Sequence, residues 1–265
     1  ERGYYDVFVF DASGNLVYTV FKERDFATNL VSGQWRDTDL GVAFRQGLAA
    51  APGTVHITDF RAYAPSEDAP AAFISTPIVD SAGKTIGVFA FQMPVDRINA
   101  VMTATHGLGA TGDAIIVGGD GLMRSNSRFT AAGQTDILKT QVRSGVIDTA
   151  LRGNPAIGET AYREAASLVA ARPFAFGDLR WSVTALQSQD EALAPVYALR
   201  RNLIIIGLLV LLAVGLLGYL VAQALTRPIV ALVADMGDLA RGRHDIKLAG
   251  MDRGDEIGLM SRAVG

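Results

Sequence analysis

The chain has 265 residues and a formal net charge of −3, from 24 basic and 27 acidic side chains. That length holds one large or two small domains beside a membrane segment. A near-neutral balance with no long basic run excludes a nucleic-acid footprint, and the absence of cysteine excludes thiol chemistry and Cys-based metal sites.

Taken in chain order, residues 5–10 are an apolar run. Asp11-Ala12-Ser13-Gly14-Asn15 gives a turn, and residues 16–21 resume as a strand, which predicts a hairpin. Residues 37–50 read as a helix closed by Pro52-Gly53, and residues 55–63 as a strand. Residues 72–79 and 85–92 form a second hairpin around Asp80-Ser81-Ala82-Gly83, and residues 94–105 a joining helix. A related order then recurs. Residues 114–117 are a strand, Gly118-Gly119-Asp120-Gly121 a turn, residues 122–125 its continuation and residues 137–151 a helix. Strands follow at 157–163, 168–174 and 181–186. Each half fits a five-stranded antiparallel sheet with helices on one face, an α+β layer design. From about residue 189 the pattern is helical.

Residues 203–225 carry no charge and are mostly Leu, Ile, Val, Ala and Gly. As a helix they extend about 34 Å, enough for a hydrocarbon core of about 30 Å. Arg200 and Arg201 precede the run, while Arg227, Arg241 and Arg243 follow it, a slight bias toward a cytoplasmic C-terminus. Beyond it, Ile229, Leu232, Met236 and Leu239 are spaced 3, 4 and 3, a coiled-coil seam. Gly242 ends that helix, Ile246 and Leu248 sit in an extended connector, and Asp255-Glu256-Ile257-Gly258 opens a second helix. Paired in a homodimer, two such helices give a parallel four-helix bundle.

The segment Arg227-Pro228-Ile229, the Gly242 break and Asp255-Glu256-Ile257-Gly258 resemble the HAMP relay of bacterial receptors. Tyr4-Tyr5-Asp6-Val7-Phe8, Lys22-Glu23-Arg24-Asp25-Phe26, Tyr63-Ala64-Pro65-Ser66 and Gly87-Val88-Phe89-Ala90-Phe91-Gln92 resemble a double Cache domain, as do Gly107 to Gly112 and Gly121-Leu122-Met123-Arg124-Ser125. The combination is similar to methyl-accepting chemotaxis proteins. The resemblance implies two stacked PAS-like subdomains, a membrane-distal one over residues 1–105 and a membrane-proximal one over 106–188. It further implies a juxtamembrane helix over 189–202, a transmembrane helix over 203–225 and a truncated HAMP domain over 226–265. The sensory part would lie outside the bacterial inner membrane and the HAMP part in the cytoplasm. The chain reads as a piece of a longer receptor, with a first membrane helix expected upstream. The implied partner is a chemotaxis kinase complex, and the rival output is a sensor histidine kinase or nucleotide cyclase.

Gly107-Leu108-Gly109-Ala110-Thr111-Gly112 spells a dinucleotide fingerprint, but a helix precedes it and a strand follows, the reverse of what phosphate binding needs. His56, His106 and His244 have no metal-ligand spacing, and neither Gly-x-Ser-x-Gly nor His-Glu-x-x-His occurs. No enzymatic activity and no cofactor are therefore expected. Fourteen of the 21 aromatics lie between residues 4 and 91, which directs the search for a ligand pocket to that half. With the family's preference for the distal subdomain, the candidates are Trp35, Arg36, Asp59, Arg61, Tyr63, Ser75 and Gln92. Asp59, Arg61 and Tyr63 alternate and are predicted to share a strand face. Amino-acid-binding members carry an Arg-x-Trp-Tyr signature and an Asp at the end of the last strand. The first is missing from residues 37–44, and Gln92 stands at the second. The expected ligand is therefore an anionic or neutral metabolite met by Arg61 or Arg36.

Overall fold

The computed structural model describes residues 5–104, 106–243 and 247–264. Tyr4, Thr105, His244 and Ile246, which enter the reading above, lie outside them. The chain divides into two units, Glu1–Leu193 and Ala194–Gly265.

In the first unit, β1 (Val7–Asp11) and β2 (Leu16–Thr19) form the first hairpin. Asp11 builds its turn by accepting from Ser13 N and Asn15 N, each at 2.9 Å. Helix α1 (Asp39–Ala49) starts where the Thr38 side chain accepts from Gly41 N. Its apolar face, with Leu40, Ala43, Phe44 and Gly47 buried, lies on the sheet. A Cβ on Gly47 would come within 2.7 Å of Val88, so glycine sets how closely helix and sheet approach. The short strands β3 (His56–Ile57), β4 (Arg61–Tyr63) and β5 (Ala69–Ala71) follow. β6 (Phe73–Val79) and β7 (Thr85–Gln92) complete an antiparallel sheet of order β2-β1-β7-β6-β3. Its core joins Phe8, Phe10, Leu40, Phe44, Tyr63, Phe73, Val88 and Ala90.

Helix α2 (Val95–Met102) leads to the second sheet. This comprises β8 (Asp113–Gly118), β9 (Ala156–Tyr162), β10 (Ala165–Phe176) and β11 (Leu179–Ser188), in the order β8-β11-β10-β9, with α3 (Gly145–Leu151) packed on it. A third cluster, with Phe60, Ala72, Met102, Ile116, Leu179 and Trp181, draws on both halves.

Three expectations need correction. The second sheet has four strands, because residues 122–125 make only isolated bridges, Val117 with Met123 and Leu122 with Gln141. The helix predicted for 137–151 is confined to Gly145–Leu151: Leu138 sits at φ 61°, which a helix cannot contain, and Ser144 supplies the N-cap to Ile147 N. The strand predicted for 55–63 breaks between β3 and β4, where the Thr58 hydroxyl accepts from Phe73 N and the Asp59 carboxylate from Phe60 N.

Helix α4 (Gln189–Val221) passes through a π-helical stretch, Ala222–Thr226, into α5 (Arg227–Ala240). It is one helix long and apolar enough to cross a membrane, and no residue of α4 is buried. In the second unit α6 (Glu256–Val264) packs on α5, where Leu232 is buried. The Asp255 carboxylate accepts from Gly258 N, and its pKa falls to about 2, chiefly through its hydrogen bond with Arg253. A Cβ on Gly258 would lie 2.1 Å from the Arg253 carbonyl, which explains the glycine of the Asp-Glu-x-Gly motif.

Candidate ligand-binding site

The α1-facing side of the first sheet is apolar at its centre and polar at one end. Phe8 and Phe10 point to this face, and Asp6 precedes them in the same two-residue phase. On β7 Val88, Ala90 and Gln92 share the phase, and on β6 Phe73 and Ser75. Gln92 N donates to Asp6 O at 3.0 Å, so the two polar ends lie side by side.

The segment after β2 folds over this end. The Asp6 carboxylate accepts from Thr19 Oγ1 at 2.5 Å and from Val20 N at 2.9 Å. Asp25, with no exposed surface, accepts from the Tyr63 hydroxyl at 2.5 Å. Glu23 accepts from Tyr5 and from Ser66. Lys22, Ala27, Glu67 and Asp68, in the two loops that carry these groups, adopt positive φ of 52–59°. Such strain persists only where surrounding contacts impose it, and it gathers at binding sites.

The electrostatics are one-sided. Burial, then the charges of Glu23 and Asp6, raises the Asp25 pKa against the opposing Tyr63 hydrogen bond. The Tyr63 hydroxyl is pushed far up by burial and by Asp25. Among the described residues no Lys or Arg makes an ion pair with Asp6, Glu23 or Asp25. Among the described residues, three buried side-chain oxygens have no partner: Asp25 Oδ1, Gln92 Oε1 and, on α1, Gln46 Oε1. A cavity of about 390 Å³ opens beside Gln92, walled by Tyr5, Phe21, Pro70, Met93, Pro94 and Asp96. Tyr5 and Phe21 stack there at 5.0 Å.

Of the seven predicted residues, the sheet face collects Tyr63, Gln92 and Ser75. The Ser75 hydroxyl is spent on Ala43 O, tying α1 to β6. Trp35 packs at the edge of the core and donates Nε1 to Arg24 O at 3.1 Å, which steadies the loop carrying Asp25. Arg36 is exposed and paired with Asp37. Arg61 is exposed too, 3.7 Å from Asp39. Neither arginine reaches the buried face, so the expected anion contact has no carrier there.

Asp59, Arg61 and Tyr63 do not share a face. Only 61–63 is strand, Tyr63 turns into the core while Arg61 points to solvent, and Asp59 leaves in another direction. Asp59 receives both Arg124 Nε and Nη2 at 2.8 Å and Trp181 Nε1 at 2.9 Å. Asp6, Glu23 and Asp25, which the structure gathers at this end of the sheet, were not among the predicted residues. The readable signal was Asp6, a carboxylate in phase with Phe8 and Phe10 on a strand whose inward face is otherwise aromatic.

In the second half, buried Asp113 accepts from Ser127, Tyr162 and Arg128 N, and no unpartnered buried oxygen occurs among its described residues. The glycine-rich stretch 107–112 holds a carboxylate rather than a nucleotide. Ala110 N and Thr111 N each donate to Glu191 at 2.7 Å, and the Thr111 hydroxyl joins them. These bonds hold the Glu191 pKa at about 2. Gly109 has φ 64°, and a Cβ there would lie 2.2 Å from the Glu191 carboxylate. Among the described residues no three His, Cys, Asp or Glu are grouped to hold a metal.

Two antiparallel sheets with helices, a helix leading directly out of the second sheet, and a buried polar patch beneath long loops define a sensory domain of the Cache type. The chain belongs to the Cache domain family, whose model matches residues 1–196. A curated relative, the "Probable chemoreceptor y4sI" of Sinorhizobium fredii (strain NBRC 101917 / NGR234), is 25% identical over 268 residues, covering 100% of this chain. The chain spans 33% of the length of that relative. Among solved structures, the extracellular domain assigned to a histidine kinase, rpHK1S-Z16, shares the fold at a TM-score of 0.50 and 19% identity, over 72% of this chain and 73% of that one. The ligand-binding domain of the Pseudomonas aeruginosa PAO1 amino acid chemoreceptor PctC, solved with GABA, matches at 0.47 and 18% identity, over 71% and 75%.

Proposed function

We propose that this chain is the input half of a transmembrane chemoreceptor. Its Cache domain binds a small molecule outside the cell at the α1-facing end of the first sheet, and the state of that site is passed through α4 to the α5–α6 segment. Residues 1–105 are the membrane-distal subdomain and 106–188 the membrane-proximal one; 189–202 are juxtamembrane, 203–225 span the membrane and 226–265 form a HAMP-type relay that works as a homodimer. The observation that carries the reading is continuity: the last strand of the Cache domain ends at Ser188, and α4 begins at Gln189 and continues helically, its end passing into the π-helical stretch Ala222–Thr226, across the apolar segment. Ligand binding would bias two arrangements of the domain, and the helix would transmit a shift on the order of 1–2 Å. The extracellular domain of a protein assigned as a histidine kinase shares this fold. The module that follows residue 265 in the full-length receptor decides between the two outputs.

The absence of cysteine allows a direct test. Ser81 lies in the exposed β6–β7 turn and Met260 on the exposed face of α6. In cells making the full-length receptor, Ser81→Cys should react with an impermeant maleimide, and Met260→Cys only after permeabilisation. The opposite pattern overturns the orientation, and labelling of both in intact cells overturns the span.

A further inference from the structure

The head of α4 is held twice. The first hold is covalent, since β11 ends at Ser188 and α4 starts at Gln189. The second is the loop 107–112, which closes the connector running from Gln92 through α2 to Asp113. Ala110 N and Thr111 N, two consecutive backbone donors, converge on the Glu191 carboxylate at 2.7 Å each. The Thr111 hydroxyl donates to the same carboxylate and accepts from Ser188 N at 3.1 Å, so one side chain fastens both sides of the junction. The loop is backed by Arg128, whose guanidinium donates to Gly109 O at 2.9 Å and to Ala110 O. It is also closed on itself: a Cβ on Gly112 would lie 2.0 Å from Leu108 O.

We propose that this clasp steers α4. A movement of the connector reaches the helix through the contact of Thr111 and Ala110 with Glu191, which makes Glu191 a positioning residue of the output helix. The proposal rests on the reading of α4 as the output helix and adds the contact that moves it. A helix held only by its chain link can swivel about that link. A second hold on the neighbouring strand fixes its direction, and Asp113, just after the loop, pairs with Leu186 of β11. With 33 residues α4 is about 50 Å long, so a small displacement at its head is magnified along it. The connector in turn lies between the two halves. Ile98 and Met102 of α2 pack in the cluster that holds Phe60 and Trp181, and the Asn99 side chain accepts from Asn126 N at 2.7 Å. Glu191 is therefore the point where a change in the packing of the two halves meets the helix that leaves the domain.

The test uses the whole chain in detergent micelles, with labelled chains diluted by unlabelled ones. Nitroxides are placed on Ile157→Cys in β9 and Leu199→Cys in α4, both exposed positions. The chain has no cysteine of its own to label. The distance between the labels should be narrowly distributed in the parent. Glu191→Ala should broaden it several-fold and speed hydrogen exchange at the Ala110 and Thr111 amides. Gly109→Ala, whose Cβ would crowd the Glu191 carboxylate at 2.2 Å, should do the same. Gln189→Ala, which loses a bond to Glu159 on β9, should leave the distance narrow. One glycine inserted between Thr103 and Ala104 should move the centre of the distribution by on the order of 1–2 Å, and Glu191→Ala should abolish that movement. A distance that stays narrow in Glu191→Ala would show that the chain link alone sets the helix direction, and the proposal falls. It falls equally if the parent distance is broad, if the insertion moves nothing, or if its effect persists without Glu191. Should the insertion abolish the melting transition, Asn99→Ala, which frees α2 from Asn126 N, takes its place with the same outcomes. These distances are read within one chain, so they can fail while the maleimide pattern upholds the membrane reading, and the reverse.

Discussion

At the scale of single residues, Asp25 and Arg124 are opposite uses of buried charge. Asp25 is held without a cation, and its folded pKa is raised. Stability from such a group is fully present below its unfolded pKa, about 3.9, and is lost as pH rises through the folded value. Asp25→Asn should therefore melt higher than the parent at pH 7, with the gap closing toward pH 4, as followed by the fluorescence of the two tryptophans. Arg124 is 3% exposed and bidentate to Asp59, with Asp120 at 3.0 Å as a second anion. Breaking one side of a buried pair costs about 3–5 kcal/mol. Asp59 is partly exposed and keeps the Trp181 indole, so Arg124→Ala should fall near the lower end. That corresponds to a drop of roughly 6–12 °C in the melting point. A loss of under two degrees would show that the pair is not structural.

At the scale of elements, the hairpins and α4 were legible because their signals are local. Asp-x-x-Gly turns, two-residue alternation and a long uncharged run each decide a conformation within a few neighbours. The four-stranded second sheet was not legible, because whether residues 122–125 join a ladder depends on partners far along the chain. Leu138, an apolar residue at the start of a helical pattern, gives no sign of its left-handed backbone. The seam of α5 was read correctly as apolar, yet its four positions divide. Leu232 is buried against α6 within the chain, while Ile229 and Met236 are exposed. If these exposed residues face a second copy, cysteines at Ile229 or Met236 should crosslink between chains in membranes at least several-fold faster than at Ala231 or Asp238. Equal rates at all four would rule out a bundle through this face.

At the scale of the molecule, the two sheets and the long apolar helix after them could be read from the sequence, whereas the direction of the polar side chains could be read only in part. Tyr63, Ser75 and Gln92 do lie on the buried face of the sheet, because aromatic and polar residues stand out on an apolar strand. Arg36, Asp59 and Arg61 were chosen for their charge, but charge alone does not reveal direction. Arg36 and Arg61 point to solvent, and Asp59 is committed to Arg124 and Trp181. The acidic character of this end of the sheet was hidden because Asp6, Glu23 and Asp25 come together only when the segment after β2 folds over it.

One feature of the second half bears on where such a receptor can work. The carboxylate of Glu191, at the head of α4, is gripped by two backbone N–H groups and a hydroxyl and keeps its charge down to about pH 2. Asp25 takes up its proton at a higher pH than an ordinary aspartate. As the surrounding medium sours, Asp25 is neutralised while the grip on the head of α4 is untouched. On the proposed reading of this face as the ligand site, acid should silence binding well before the helix works loose, and returning the medium to neutral should restore it without any need to refold.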